Sequence, residues 1–320
     1  MHPGMPPQDS PAAAAAAADL LVRFWGVRGS VAVPGPHTVR YGGNTSCVEV
    51  RYGHDIVILD AGTGLRELGR KLVRELARHP ARLRLLITHT HWDHIQGLPF
   101  FAPAYVDRQP IEILGPPRSR AGFLRTVAAA VESPFFPVAL RDMPGNITFR
   151  ELGSDPFSLG ALACRTAPLN HPGGGFAFRL DSPAGSVAYV PDHEIPCPLA
   201  EARRLPRAIR QRDAALRELI RDVDLLIHDA QYTSAEYATR VGWGHSCYEA
   251  AVLAAVEARA RRLLLFHHDP DRTDRQMESL IRKARRVATR AGSSLVVEAA
   301  REGLTIVLRR QASSTATAAA

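Results

Sequence analysis

The chain has 320 residues, 46% hydrophobic and 22% charged, enough apolar material for one large domain or two ordinary ones, with no apolar run long enough for a membrane helix. A net charge of +8 favours anionic partners, but the only lysines are Lys71 and Lys283 and many arginines sit on predicted helix faces, so most of that charge reads as solvated surface. Four widely spaced cysteines without a CxxC argue against a disulfide framework, and an N-terminus without a basic start or leucine-rich core argues against a secretory signal, so a cytoplasmic location is expected.

Residues 1–19 and 311–320 are rich in small residues and proline or serine and lack an anchoring apolar pattern, so both are expected to be disordered tails around a single domain at 20–310. Short β-type runs occur at 21–27, 46–52 and 55–60. Leu65, Leu68, Leu72, Val73 and Leu76 then recur at helical spacing, which predicts a helix over 64–78. A buried strand at 82–89, another at 111–116, a helix over 119–133 and a proline-broken loop at 133–145 complete the first half. In the second half strands are predicted at 161–169, 175–180 and 186–192, followed by a helix at 206–221 and a strand at 222–230. A helix over 246–260 carries a capping-box pattern, Ser246 to Glu249. A strand at 261–269, a helix from Thr273 with Gln276 as its capping partner, and strands at 294–299 and 304–310 close the chain. Two halves of this kind fit an α/β fold of two sheets packed face to face with helices on the outer faces.

The predicted strand 82–89 ends in "THTHWDHIQG" (88–97), where His89, His91, Asp93 and His94 fall within six positions. His89 and His91 point to the same side of an extended backbone, and Asp93 and His94 follow as the chain turns. Imidazole and carboxylate suit zinc, iron or manganese, and no cysteine is near. His171, Asp192 and His267 also sit at predicted strand ends. Together these are five histidines and two aspartates, enough to hold a pair of divalent ions. His268, next to His267, is an alternative ligand; His267 is preferred because it comes directly off the apolar run.

HxHxDH followed by a later His, a later Asp and a last His resembles the metallo-β-lactamase superfamily over roughly residues 21–308. The resemblance implies the αββα sandwich, with His89, His91 and His171 on one ion, Asp93, His94 and His267 on the other, and Asp192 bridging. Zinc is the expected metal, with manganese or iron as alternatives. Two ions about 3.5–4 Å apart can activate a shared water as a bridging hydroxide, and Asp93 would orient it or take its proton. An aspartate rather than a cysteine at the bridge resembles the ribonuclease Z and phosphodiesterase side of the superfamily. "HDAQY" (228–232) and "GHSC" (244–247) resemble the HEAT and HST motifs of ribonuclease Z. That likeness makes His245 a general acid and Asp229 its orienter; a metal-supporting Asp229 and a surface His245 are the plainer readings.

"FWGVRGSVAVPGP", "YGGNTSCVEV" and "THTHWDHIQGLPFF" resemble bacterial metallo-hydrolases close to cyclic-nucleotide phosphodiesterases. No long basic arm for gripping tRNA is visible, so a small or cyclic phosphodiester is expected ahead of nucleic acid, and a homodimer is compatible with the sequence. A ribonuclease Z-like nuclease, a lactonase or thioesterase, and a non-catalytic nucleotide sensor are the alternatives. Asp60 is expected to support a ligand histidine, or else to cap the following helix. Arg28 and Asn44, in glycine-rich turns, are candidates for a phosphate contact or for turn roles. Phe135 and Phe136 are candidates for a lid over a base or ribose, or for loop packing. Trp92, between the candidate ligands, is expected to pack outward or against that lid rather than to touch substrate.

Overall fold

Every second residue of Leu20–Gly26 is buried, the period of a strand with one covered face, and this segment forms β1. The computed structural model describes residues 18–117, 122–134, 136–196 and 207–310. Among them β1 is joined in one sheet by β2 (Cys47–Tyr52), β3 (Asp55–Leu59), β4 (Leu83–Leu86), β5 (Pro110–Gly115) and β6 (Asn146–Glu151). A second sheet holds β7 (Phe157–Leu159), β8 (Leu162–Pro168), β9 (Phe176–Ser182), β10 (Gly185–Val190), β11 (Leu225–Asp229), β12 (Arg262–Phe266) and β13 (Val296–Ala299). The last strand, β14 (Thr305–Leu308), crosses back to pair with β1, so the orders are β14-β1-β2-β3-β4-β5-β6 and β13-β12-β11-β10-β9-β8-β7. Both sheets are mixed: β3 to β6 run parallel, as do β10 to β13, and the remaining pairs are antiparallel.

Phe24, Val48, Val50 and Leu59 from one sheet and Phe178, Tyr189, Ile227 and Phe266 from the other fill the space between them. On the outer face of the first sheet lie α1 (Leu65–Leu76) and α2 (Phe123–Ala130), which bury Leu65, Leu68, Leu72, Phe123 and Val127. On the outer face of the second lie α3 (Arg207–Ile220), α4 (Tyr248–Glu257) and α5 (Asp274–Arg290). Fully burying one such leucine is worth roughly 1.5–3 kcal/mol, so three apolar layers hold the four-layer αββα sandwich together.

The capping box at Thr273 forms, with Gln276 answering the threonine. The one expected at Ser246 does not. α4 starts at Tyr248 behind Cys247, without a side-chain cap. Ser246 Oγ turns away to donate to His193 O and to accept from Ile195 N. Ala18, inside the stretch expected as a tail, packs on the inter-sheet core, and residues 1–17 lie outside the described residues. β6 and β7 lie where no strand is predicted; β6 is an edge strand whose alternation is only two residues long, Ile147 and Phe149 packing on the core.

Candidate metal centre

The parallel strands set up the site, because their C-terminal ends come together at one rim. Asp60 follows β3 and His89 follows β4, its parallel neighbour. Asp192 follows β10, Asp229 ends β11 and His267 follows β12, again on parallel neighbours. His171 arrives after β8, and the single helical turn Trp92–Ile95 delivers Asp93 and His94.

Their ligand atoms converge. His89, His91 and His171 form one group and Asp93, His94, Asp192 and His267 another, the atoms in each lying within 4.8 Å of one another. Asp192 is split between them. Its Oδ2 is 3.7 Å from His89 Nε2 and 3.7 Å from His171 Nε2. Its Oδ1 is 3.1 Å from His94 Nε2 and 3.3 Å from His267 Nε2. Asp93 Oδ2 completes the second group, 3.3 Å from His94 Nε2 and 3.1 Å from His267 Nε2.

A fixed shell aims these atoms. His94 Nδ1 meets Asp60 Oδ2 at 2.8 Å, and Asp60 also accepts from Thr88 N (2.8 Å) and Tyr189 Oη (2.9 Å). Asp60 thus holds the His94 ring rather than capping a helix, and α1 begins behind Gly64. His171 Nδ1 donates to Gly244 O at 2.9 Å, and His267 Nδ1 lies 3.1 Å from Gln231 Oε1. Ser30 N donates to Asp93 Oδ2 at 2.8 Å. Asp60 (φ 58°) and His267 (φ 56°) both sit in the left-handed region, a strain of about 1–3 kcal/mol each that the surrounding packing must carry.

The residues fit a pair of divalent ions. His89 Nε2, His94 Nε2 and Asp192 Oδ1 are buried with no hydrogen-bond partner, an expensive condition unless a cation takes those lone pairs. Burial pushes His171 down to about 4 and His89 well below the usual imidazole range, toward the neutral form that ligates. Burial opposes the charge on Asp192, but His267, His94 and His89 outweigh it and hold the carboxylate well below its usual range.

Beside this cluster His245 Nδ1 lies 3.0 Å from Asp229 Oδ2. Asp229 is itself pinned by Gln231 N on Oδ1 (2.9 Å) and by His193 N (3.2 Å) and Ser246 N (3.3 Å) on Oδ2. His268 turns away: its Nε2 donates to Ala300 O at 2.8 Å, so His267 is the member that enters the cluster.

Of the two roles open to Arg28 and Asn44, the contacts in the structure are those of the turn role. Arg28 is fully buried; its Nε donates to the Gly42 carbonyl and its Nη1 to those of Asp269 and Arg272, while Nη2 is buried without a hydrogen-bond partner. Asn44 is bound at both ends of its amide, donating to Glu302 and accepting from Thr63 Oγ1. Both knit the loops behind the rim. Phe136 packs edge-on against Phe100, centroids 5.5 Å apart, and Phe135 lies outside the described residues. Trp92 is 55% exposed, so it does not pack inward. Gln231, Gly244 and Glu194, which shape the site, have no sequence signal of their own; only their neighbours in "HDAQY", "GHSC" and "PDHEIP" do. Among the described residues no helix is long and apolar enough to cross a membrane.

Comparisons with known proteins agree with this geometry. The family model of the β-lactamase superfamily domain matches residues 56–268, more than half of the chain. The ribonuclease Z of Myxococcus xanthus is 26% identical over 267 residues, covering 71% of this chain and 83% of its own. Among solved structures, yeast PDE1 superposes with a TM-score of 0.64 at 12% identity, over 91% of this chain and 99% of that one. A diphosphatase of the PhnP family gives 0.61 at 18% identity, over 90% and 97%. With both the sequence match and the sandwich in place, the chain belongs to the metallo-β-lactamase superfamily.

Proposed function

We propose that this hydrolase is dinuclear and cleaves phosphodiesters, with small or cyclic ones as its natural substrates. The observation that carries the reading is Asp192, whose two oxygens face separate ligand groups beside a histidine–aspartate pair. His89, His91 and His171 would hold one ion, Asp93, His94 and His267 the other, and Asp192 would face both; zinc suits this set, as do manganese and iron. Bound there, the two ions would polarise a phosphoryl oxygen and lower the pKa of a shared water. Asp93, held by the Ser30 N–H, fixes the side of the site on which a nucleophilic water loses its proton. With Nδ1 committed to Asp229, His245 carries its transferable proton on Nε2 and delivers it to the leaving oxygen.

The stretch from His171 to Asp192 is occupied by the β9–β10 hairpin, which leaves no room there for a long arm and supports a small substrate. The curated relatives named ribonuclease Z support a second reading, an RNA phosphodiester cut by the same residues. A panel of cyclic nucleotides, cyclic ribose phosphates and short RNA, run with metal analysis, separates the two. Activity on esters or lactones with none on bis-(p-nitrophenyl) phosphate would overturn both.

A further inference from the structure

Two residues beyond Asp192, the chain buries a carboxylate that the chemistry above does not use. Glu194 is 7% exposed, and among the described residues no basic side chain forms an ion pair with it. Its partners are all neutral donors. Oε1 accepts from Tyr237 Oη at 2.7 Å and from Gly242 N at 2.8 Å, and Oε2 accepts from Gly244 N at 2.9 Å. Its backbone is bound as well: Glu194 N donates to Asn170 O at 2.9 Å, and Asn170 Nδ2 donates to Glu194 O at 2.8 Å. One residue therefore ties three loops together: 170–171, which ends in His171; 192–195, which starts at Asp192; and 237–245, which ends in His245.

Gly244 is the contact point. It has φ +88°, and a Cβ there would lie 2.2 Å from His171 Nδ1, so its backbone rests directly against that imidazole. Glu194 grips the Gly244 N–H while the Gly244 carbonyl takes the Nδ1 proton of His171. That hydrogen bond turns His171 Nε2 into the cluster, 3.0 Å from His91 Nδ1 and 3.7 Å from Asp192 Oδ2. The next residue is His245. Movement of Gly244 would shift both a ligand histidine and the proposed acid.

We propose that Glu194 is the positioning residue that sets His171 and His245 together, through Gly244. The inference rests on the metal and acid readings given above for those two histidines. Only a carboxylate supplies acceptors on both oxygens toward these three donors; in Glu194→Gln the new NH2 group would face a backbone N–H or the Tyr237 hydroxyl.

The test uses full-length wild type, Glu194→Gln and Tyr237→Phe. Zinc stoichiometry and affinity are read by competition with a chromophoric chelator. Rates are read on a phosphodiester pair with p-nitrophenolate and with a simple alkoxide as leaving groups. Glu194→Gln is expected to bind one zinc normally and the other at least tenfold more weakly, and to lose more rate with the alkoxide. Tyr237→Phe should move both readouts the same way by less. A Glu194→Gln protein with two zinc ions at wild-type affinity and an unchanged leaving-group ratio overturns the proposal. Should Glu194→Gln not fold, Tyr237→Phe decides alone, and a wild-type profile there overturns it equally. If the wild type cleaves no phosphodiester, the substrate reading fails while the zinc titration still reads Glu194.

Discussion

Asp229 Oδ2 and His245 Nδ1 meet at 3.0 Å, sixteen residues apart in sequence and both buried. The carboxylate is held by backbone N–H groups of His193, Gln231 and Ser246, so it is the fixed partner and the imidazole the oriented one. An oriented imidazole beside an acyl- or phosphoryl-transfer site is a proton donor or acceptor by trade. His245→Ala is therefore expected to slow cleavage of alkoxide-leaving phosphodiesters by roughly 10²–10⁴. The same substitution should cost far less with p-nitrophenolate, which leaves without a proton. Equal losses on both substrates would remove His245 as the acid.

The same pair predicts a pH signature in the metal-free protein. Burial opposes the charged ring, but Asp229 above all, then Asp192 and Asp93, outweigh it and raise His245 to about 9 from an ordinary 6.5. A raised histidine stabilises the fold fully below about pH 6.5, and that contribution fades as pH climbs through about 9. The metal-free chain should thus lose stability across that window, and Asp229→Asn should flatten the slope. Imidazole NMR titration checks it directly. A wild-type His245 that titrates at or below 6.5 without metal refutes the prediction.

Much of this site is legible in the sequence because its clustered histidines and aspartates sit where apolar strands stop. His89, Asp192 and His267 each follow a buried run, and parallel pairing then brings distant strand ends to one rim. What the sequence hides is long-range. Arg28 looks like a phosphate contact in a glycine-rich turn, yet its partners are carbonyls of residues 269 and 272, which no local pattern links to it. Ser246 has a correct capping-box spacing, but the 193–195 loop offers its hydroxyl better partners. Gln231 and Gly244 act through one side-chain oxygen and one carbonyl, features that residue type alone does not mark.

Asp192 makes the sharpest metal prediction. One carboxylate faces four imidazoles, so Asp192→Ala should lower the content of both ions, not one, and drop the rate with it. Chelation of the wild type should abolish activity, and added zinc or manganese should restore it. An unchanged metal-to-protein ratio in Asp192→Ala counts against its bridging position, and activity that survives chelation sinks the metal mechanism.

Gly29 offers a test of the proposed two-ion arrangement that leaves every proposed ligand unchanged. A Cβ at this position would lie 2.4 Å from His267 Nδ1 and 2.5 Å from Cε1. Neither side can yield easily. The Gly29 N–H is bonded to His268 O at 3.0 Å, and the preceding Arg28 is locked by its buried guanidinium. The His267 ring is held at Nδ1 by Gln231 and carries a left-handed backbone. In Gly29→Ala the ring must swing away from Asp93 and Asp192. The expected result is zinc binding at least tenfold weaker on the His94 and His267 side, with the ion at His89, His91 and His171 retained. Gly153→Ala is the control, because a Cβ there meets nothing closer than 4.0 Å and should leave both ions bound. Two zinc ions at wild-type affinity in Gly29→Ala would mean that the rim relaxes around His267, and that its ring is not fixed in the way the packing implies.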